Sequence, residues 1–242
     1  MSDRSSQAPR HVAVIPAAGA GTRVGAPLPK QYLRLGARTM LEWSVDALLA
    51  VPWIERVLVV VAPGDRQAEA LVGTRARVEV LPQGGATRRD SVLAGLQALA
   101  RGVGSLDWVL VHDAARPAID VTTLERLRAT LAASPVGGLL ALPVGDTIKQ
   151  ASADRRASAA TLDRDRLWVA QTPQMFRLGI LLDALSAYPD VTDEASAVER
   201  AGYAPLLVEG ARSNFKVTGV DDVELMRLVL AARTGGALEG KR

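Results

Sequence analysis

Small residues follow the first apolar run of the chain, where they can surround the phosphates of a nucleotide. After residues 12–16 come Ala17, Ala18, Gly19, Ala20, Gly21 and Thr22. In a loop of such residues the backbone N–H groups can approach a triphosphate without clashes from bulky side chains. Arg23 and Lys30 then add positive charge, which suits the charge that grows on a departing pyrophosphate. We refer to residues 17–23 as the glycine loop.

The glycine loop alone admits two interpretations. It can bind phosphates, or it can be no more than a tight turn between a strand and a helix. Its spacing matches neither the Walker A pattern nor the G-x-G-x-x-G pattern of dinucleotide-binding folds, so neither of those classes is predicted.

An acidic residue with a basic neighbour follows another apolar run, residues 107–112. Asp113 stands where a strand would end, so it can face a ligand or a magnesium ion, or it can cap the next turn. Arg116 is close enough in sequence to contact the same substrate, whereas His112 is interpreted as structural.

Lysine is rare in this chain, which uses arginine for most of its basic residues. The lysines are Lys30, Lys149, Lys216 and Lys241. Where a chain otherwise prefers arginine, a lysine hints that a compact ammonium group is needed. Lys216 lies between Phe215 and Val217, which is typical of a strand residue that faces a crevice, although an exposed strand lysine would look the same.

The elements that must position these residues alternate along the chain. Short apolar runs rich in β-branched residues predict strands, and amphipathic stretches between them predict helices. The predicted strands cover residues 12–16, 56–62, 77–81, 107–112 and 138–143. The predicted helices follow a capping box at Thr39 and Glu42, a cap at Asp90, and residues 122–133 and 221–233. This alternation favours an α/β fold with a doubly wound, mainly parallel, Rossmann-like sheet, which binds ligands at the carboxyl ends of its strands.

Residues 146–166 interrupt this alternation with a polar stretch. A long irregular segment inside a compact domain is usually functional or flexible, so it is either a disordered loop or a projecting β-arm. We call residues 146–166 the arm. The simplest organisation is one domain over residues 11–235 that carries the arm, with flexible tails at residues 1–10 and 236–242.

Composition excludes several classes of protein. The 242 residues include no cysteine and two histidines, which rules out disulfides and thiolate metal sites and leaves carboxylates and phosphates to hold a metal such as magnesium. The net charge is only +3 and no basic run stands out, so nucleic acid is not an expected partner. No apolar run approaches the ~20 residues that cross a bilayer, and a cytoplasmic location is expected.

Several motifs of the chain together resemble one family. The blocks are P-A-A-G-A-G-T-R at 16–23 with P-K-Q-Y at 29–32, G-G-A-T-R-R-D-S-V at 84–92, V-H-D-A-A-R-P at 111–117, D-T-I-K at 146–149, L-W at 167–168 with Q-T-P-Q at 171–174, T-D-E-A-S at 192–196 and N-F-K-V-T at 214–218. Their types and order are similar to those of the 2-C-methyl-D-erythritol 4-phosphate cytidylyltransferase family, over roughly residues 12 to 233.

The resemblance implies an enzyme that transfers CMP from CTP to 2-C-methyl-D-erythritol 4-phosphate with Mg²⁺, releasing pyrophosphate. One alternative keeps the chemistry but uses another polyol phosphate, ribitol 5-phosphate. An alternative of another class is a nucleotide-binding regulator without catalysis, but Arg23, Lys30 and Lys216 are all present.

The resemblance also implies a role for particular residues. It assigns Arg23, Lys30 and Lys216 to catalysis at the phosphates, and Asp113 to the substrate and the metal. It assigns CTP to Ala17, Ala18, Gly19, Gly21, Gly85 and Ser91, the last two through the cytosine edge. The remaining substrate contacts are Arg116, Thr147, Arg164 and Thr192.

The arm gains a role from the same resemblance. Thr147 and Arg164 would reach the substrate phosphate from a neighbouring subunit, which makes the arm the clasp of a homodimer. Two arginines compete for this role, and Arg164 is preferred to Arg166 because it lies four residues before Trp168.

Overall fold

The structure is a computed structural model that describes residues 8–19, 28–233 and 235. Within these residues, seven strands form one sheet in the order β11-β7-β10-β6-β1-β4-β5, and two pairs of short strands lie apart from it. The strands are β1 His11–Pro16, β2 Arg34–Leu35, β3 Arg38–Thr39, β4 Ile54–Val60, β5 Val78–Leu81, β6 Trp108–Val111, β7 Gly137–Pro143, β8 Ile148–Ala151, β9 Ser158–Leu162, β10 Trp168–Arg177 and β11 Leu206–Glu209.

The large sheet is mainly parallel, as predicted. Strand β1 pairs in parallel with β4 and β6, β4 with β5, and β7 with β11. Strand β10 runs antiparallel between β6 and β7. The carboxyl ends of β1, β4, β5 and β6 therefore meet at one edge of the sheet, where ligands bind in folds of this kind.

Helices cover both faces of the sheet, which explains why its strands are apolar on both sides. They are α1 Met40–Leu49, α2 Arg88–Leu99, α3 Val121–Leu131, α4 Leu178–Ala187, α5 Glu194–Arg200 and α6 Val220–Arg233. In β1, Ala13 and Ile15 pack with the buried residues of α1 and α3. Val12 and Val14 point to the other face and pack with α2, α4 and α5. The described helices include none long and apolar enough to cross a membrane.

Capping residues fix where two of the helices begin. The predicted capping box at α1 is confirmed, because Thr39 and Glu42 bond reciprocally to each other's backbone N–H groups. At α2 the predicted cap at Asp90 is wrong. Thr87 is the N-cap, and Asp90 completes its capping box from inside the helix. Asp90 is the acidic member of this capping box and not its N-cap, so the helix begins about one turn earlier than a cap at Asp90 predicts.

Other predicted elements differ from the structure at their ends and in one side chain. The helix predicted over residues 122–133 is α3, whose N-cap is Asp120. The helix predicted over residues 221–233 is α6, and three of its four apolar residues are buried as expected, whereas Leu228 is 52% exposed. Of the predicted tails, residues 1–7 and 236–242 lie outside the described residues, and Arg10 pairs with Asp107.

The arm forms a β-hairpin, which resolves the choice between a loop and a β-arm. Strands β8 and β9 pair antiparallel with each other and with no strand of the large sheet among those described. All residues of β9 are exposed. A two-stranded hairpin has little core of its own and is marginally stable alone.

Candidate active site

A cavity of about 490 Å³ opens at the carboxyl ends of β1, β5 and β6. Most of the residues predicted to bind the nucleotide line it together. They are Ala17, Ala18, Gly19, Lys30, Gly85, Ser91 and Lys216, and Asp113, which was predicted for the substrate and the metal, lines the same cavity. Gly21 and Arg23 lie outside the described residues, so their predicted contacts are not placed by the structure.

Gly84 allows two loops to close on each other beside the cavity. Its backbone N–H donates to the carbonyl of Val61 at 2.7 Å. A Cβ atom at this position would lie 2.2 Å from the Cβ of Ala18, which is far inside contact distance. A glycine is therefore required where the β5–α2 loop crosses the start of the glycine loop.

Ser91 lines the cavity, but its hydroxyl already has partners in the loop beside it. The hydroxyl accepts a hydrogen bond from Gly85 N–H at 3.1 Å and donates to the carbonyl of Thr87 at 3.1 Å. These bonds hold the backbone of residues 85–87 in place along the cavity wall. The contact of Ser91 with a base stays a prediction, while its support of Gly85 is visible.

Asp113 is buried and paired with two cations. Its Oδ1 accepts from Arg88 Nε at 2.7 Å, and its Oδ2 lies 2.7 Å from Lys216 Nζ. Burial alone would raise the pKa of Asp113, but the charges and hydrogen bonds of Arg88 and Lys216 lower it well below its usual value. The carboxyl group is therefore ionised over the whole physiological range.

Arg88 connects Asp113 to a second buried carboxylate, Glu194. Its NH1 and NH2 groups donate to the two oxygens of Glu194 at 2.7 and 3.1 Å. The Glu194 side chain is only 1% exposed. Burial lowers the pKa of Arg88, but Glu194 and Asp113 together raise it above its usual value. We call Arg88, Asp113, Glu194 and Lys216 the ion network.

Sequence reasoning assigned no role to Arg88 and Glu194, although both lie in the motif blocks that resemble the family. Arg88 stands in the T-R-R-D-S block and Glu194 in the T-D-E-A-S block. Two charged residues 106 positions apart reveal no pairing until the fold brings α2 and α5 together. The one sequence signal for a role of Arg88 and Glu194 is that both lie in motif blocks whose other members are predicted site residues.

The two predicted catalytic lysines are tied to the same short segment of chain. Lys30 Nζ donates to the carbonyl of Val217 at 2.8 Å, next to Lys216. The N–H of Val217 donates to the carbonyl of Ala115 at 2.9 Å, which anchors the segment to the loop after β6. Both ammonium groups are thus positioned along one wall of the cavity.

His112 is completely buried, which agrees with its structural interpretation. Its Nε2 lies 3.1 Å from the carbonyl of Arg116, and its Nδ1 lies 3.1 Å from the hydroxyl of Thr172. Because a carbonyl only accepts, these partners assign the proton to Nε2. Burial lowers the pKa of His112 to about 4, so the ring is neutral. Thr172 in turn accepts from the N–H of Asp113 at 3.0 Å.

Arg116 does not line the cavity. Its guanidinium donates to the carbonyls of Asn214 at 2.8 Å and Ala170 at 3.2 Å, and the side chain is buried. Burial lowers its pKa. The structure therefore shows Arg116 bracing the backbone of neighbouring segments, and its contact with substrate stays a prediction.

Three predicted substrate residues lie away from the cavity in the single chain. Thr147 and Arg164 are exposed residues of the arm, and Arg164 donates to the carbonyl of Gly145 at the base of that arm. Thr192 is exposed just before α5. The chain by itself thus brings together the predicted nucleotide residues and leaves part of the predicted substrate set outside.

Among the described residues, no group of three or more histidine, cysteine or acidic side chains could hold a metal ion. Asp113 is the carboxylate that lines the cavity, and both its oxygens are engaged by cations. Magnesium in phosphate-transfer sites is commonly held by one or two carboxylates and the substrate phosphates. The site suits such an ion only in that shared arrangement.

The site motifs agree with what a comparison with known families finds. The profile of the family described as 2-C-methyl-D-erythritol 4-phosphate cytidylyltransferase matches residues 11–232. A protein of that name from Chromobacterium violaceum is 51% identical over 224 residues, covering 92% of this chain and 98% of the relative. One from Bordetella petrii is 53% identical over 220 residues, covering 89% and 96%.

Solved structures are similar over the same length. A crystal structure of a 4-diphosphocytidyl-2C-methyl-D-erythritol synthase has a TM-score of 0.83 at 39% identity, covering 93% of this chain and 100% of that one. The 2-C-methyl-D-erythritol 4-phosphate cytidylyltransferase from Thermus thermophilus has a TM-score of 0.75 at 31% identity, covering 91% and 98%. The similarity therefore extends over the sheet and the cavity at its edge.

Proposed function

Because the chain belongs to the 2-C-methyl-D-erythritol 4-phosphate cytidylyltransferase family, it transfers CMP from CTP to that substrate, and we propose that the cavity at the edge of the sheet is where it does so. The products are 4-diphosphocytidyl-2-C-methyl-D-erythritol and pyrophosphate. The observation that carries the assignment is the convergence of residues 17–19, Lys30, Asp113 and Lys216 on one cavity.

The transfer of CMP requires the protein to orient two phosphates and to stabilise their charge. An oxygen of the substrate phosphate attacks the α-phosphorus of CTP in line and forms a new P–O bond. The bond from the α-phosphorus to the bridging oxygen breaks, and pyrophosphate leaves with its electron pair. Because the nucleophile is already an anion, no covalent enzyme intermediate is needed, and catalysis consists of orientation and charge stabilisation.

The cations of the site are assigned to the phosphates. Lys30 and Lys216 both line the cavity, where Lys30 is hydrogen-bonded to the residue after Lys216, and they offset the negative charge that moves toward pyrophosphate. Arg23 joins them in this proposal through its motif, since it lies outside the described residues. The backbone N–H groups of Ala18 and Gly19 are assigned to the triphosphate. The N–H of Ala17 donates to the carbonyl of Val60 at 2.7 Å, so Ala17 contributes to the cavity wall by its other atoms.

Recognition of the base is assigned to the loop before α2. Gly85 and Ala86 line the cavity, and Ser91 holds the backbone of this loop in position. Ala86 has no polar side chain, so its contact with cytosine must come from its backbone. A pattern of backbone donors and acceptors reads one base edge better than another, which is how the site would prefer CTP.

Magnesium is part of the proposal, with Asp113 as its protein ligand. When bound, the ion would supply positive charge that offsets the charge of the phosphates. Asp113 would offer the ion its Oδ2, which lies 2.7 Å from Lys216 Nζ in this structure. Asp113 would still be held through Oδ1 by Arg88.

A homodimer joined through the arm completes the proposed substrate site. Apolar side chains are exposed at the base of the arm, with Leu162 at 41%, Trp168 at 40% and Val169 at 56%. Exposed apolar groups clustered in this way are typical of an interaction surface. A partner's arm would bring Thr147 and Arg164 to the phosphate of the substrate. A cytoplasmic location, which the sequence favours, stays part of the proposal.

The test is pyrophosphate release from CTP and Mg²⁺ with 2-C-methyl-D-erythritol 4-phosphate, with ribitol 5-phosphate in a parallel assay. Release with the first substrate, and little with the second, is the expected result. A preference for ribitol 5-phosphate would keep the chemistry and change the substrate. CTP binding without release from either would favour a regulator.

A further inference from the structure

Glu194 is a buried carboxylate to which the proposed mechanism gives no task. Its side chain is 1% exposed and both its oxygens are bound by Arg88. A buried charge of this kind is costly, and it is retained only with a well-placed partner.

The backbone around Glu194 is fixed from both sides. Gln174 of β10 accepts from the N–H of Ala195 at 2.7 Å, and its amide donates to Asp193 at 2.8 Å. Asp193 and Ser196 form a capping box at the start of α5. Glu194 is therefore presented to Arg88 from a rigid support.

The other end of Arg88 fixes one oxygen of Asp113. Arg88 Nε lies 2.7 Å from Asp113 Oδ1, while the backbone N–H of Asp113 donates to Thr172, also on β10. Asp113 is thus held through its main chain and through one oxygen. Its second oxygen faces Lys216, whose side chain is 40% exposed.

The ion network carries two positive and two negative charges and is balanced. Its two ends differ in burial, because Glu194 is 1% exposed and Lys216 is 40% exposed. A phosphate entering the cavity competes with Asp113 for the exposed end. The buried end has no route to the ligand and stays paired.

We propose that Glu194 is a positioning residue for CMP transfer: by holding Arg88 through both carboxylate oxygens, it keeps Asp113 fixed while Lys216 turns from Asp113 to a bound phosphate. Without Glu194, the guanidinium is free to rotate onto both oxygens of Asp113 or toward the phosphates, and the charges of the site shift. This inference rests on the proposed function of Asp113 and Lys216.

The first variant is Glu194→Gln, which keeps the shape of the side chain and removes its charge. We expect kcat to fall about 10-fold or more, toward the ~10² that a displacement of about 1 Å can cost. We expect the KM for CTP to change less than about 3-fold, because the residues after β1 and before α2 are untouched. The melting temperature should fall as well, so stability must be measured beside turnover.

A double variant, Arg88→Met with Glu194→Gln, separates the positioning role of the pair from its contribution to stability. Arg88→Met alone leaves Glu194 buried without a partner, and adding Glu194→Gln removes that orphan charge. The double variant should therefore melt higher than Arg88→Met. Its turnover should stay as low as that of the single variant, because the support of Asp113 is still missing.

The chain offers a matched control in Arg75, which also bridges two carboxylates. Arg75 Nε lies 2.7 Å from Asp46, and its NH2 lies 3.4 Å from Glu42, away from the residues that line the cavity. Asp46→Asn should lower the melting temperature and leave kcat within about 2-fold of the wild type.

Two results would overturn the inference. One is near-normal turnover of folded Glu194→Gln, and the other is turnover of the double variant that recovers together with its melting temperature. Either result would show that the pair only stabilises the fold. The activity of the wild type distinguishes a failure of this inference from a failure of the proposed function. An inactive wild type would reject that function, whereas an active wild type with an equally active Glu194→Gln would reject the positioning role alone.

Discussion

The cavity at the edge of the sheet and the projecting arm differ in how far one chain completes them. At the cavity, polar groups are held by partners inside the same chain, from the ion network to the bond between Lys30 and Val217. On the arm, every residue of β9 is exposed and apolar side chains at its base face outward. The cavity is therefore the preformed half of the proposed site, whereas its substrate half, as we propose it, needs a second chain.

The strongest test of the preformed half is Lys30→Ala. We expect turnover to fall by about 10² or more, which is the scale of removing one donor to a transition state. The melting temperature should change little by comparison. Pyrophosphate release at saturating substrates is the measurement, and near-normal turnover would remove Lys30 from the catalytic set.

The next test addresses the arm through Arg164→Ala. The loss should raise the KM for 2-C-methyl-D-erythritol 4-phosphate about 10-fold, as expected for the loss of a charged hydrogen bond, and leave the KM for CTP unchanged. Arg166→Ala is the matched control, because this neighbouring arginine was the rejected candidate. If Arg166→Ala had the larger effect, the assignment within the arm would be wrong.

Acid stability tests the pairing of Asp113 in the preformed half. The pKa of Asp113 is lower in the folded chain than the value near 3.9 of an unfolded aspartate. Its pairing therefore stabilises the fold above about pH 4, and that contribution is lost as the pH falls further. Melting temperatures between pH 7 and pH 3 should fall more steeply for the wild type than for Asp113→Asn. Parallel curves would contradict the ionised pairing.

The smallest effect is expected at the tip of the arm. Arg155 adopts a φ of +60°, in the left-handed region that costs a non-glycine residue about 1–2 kcal/mol. Arg155→Gly removes this strain but adds backbone entropy to the unfolded chain. The free energy of unfolding should change by less than about 1 kcal/mol, with turnover unchanged. A large loss of activity would show that the tip itself contacts the substrate.

The sequence predicted the parts of the fold whose signals are local. Apolar runs located the parallel strands β1, β4, β5, β6 and β7, and the small residues after β1 located one wall of the cavity. Strand β10 was missed because its buried half begins with Gln171, Thr172 and Pro173. These polar residues hide the strand pattern, yet Thr172 is one of the groups that position Asp113.

The rest of the site depended on contacts that only the fold creates. Asp113 was recognised from its place after a strand, but its pairing with Arg88 and Lys216 joins three separate segments. Arg116 looked like a substrate residue because it is close to Asp113 in sequence, and the structure shows its guanidinium bound to backbone carbonyls. Proximity along the chain does not predict which way a side chain points.

The most direct test of the central claim mixes two impaired variants, Lys30→Ala and Arg164→Ala, after partial unfolding and refolding together. If the cavity of one chain works with the arm of another, mixed dimers contain one site with both residues intact. Activity should then rise well above that of either variant refolded alone. The formation of mixed dimers must be demonstrated in the refolded mixture. If such a mixture shows no more activity than the separate variants, the arm does not act on the partner's cavity, and the proposal of a divided site is contradicted.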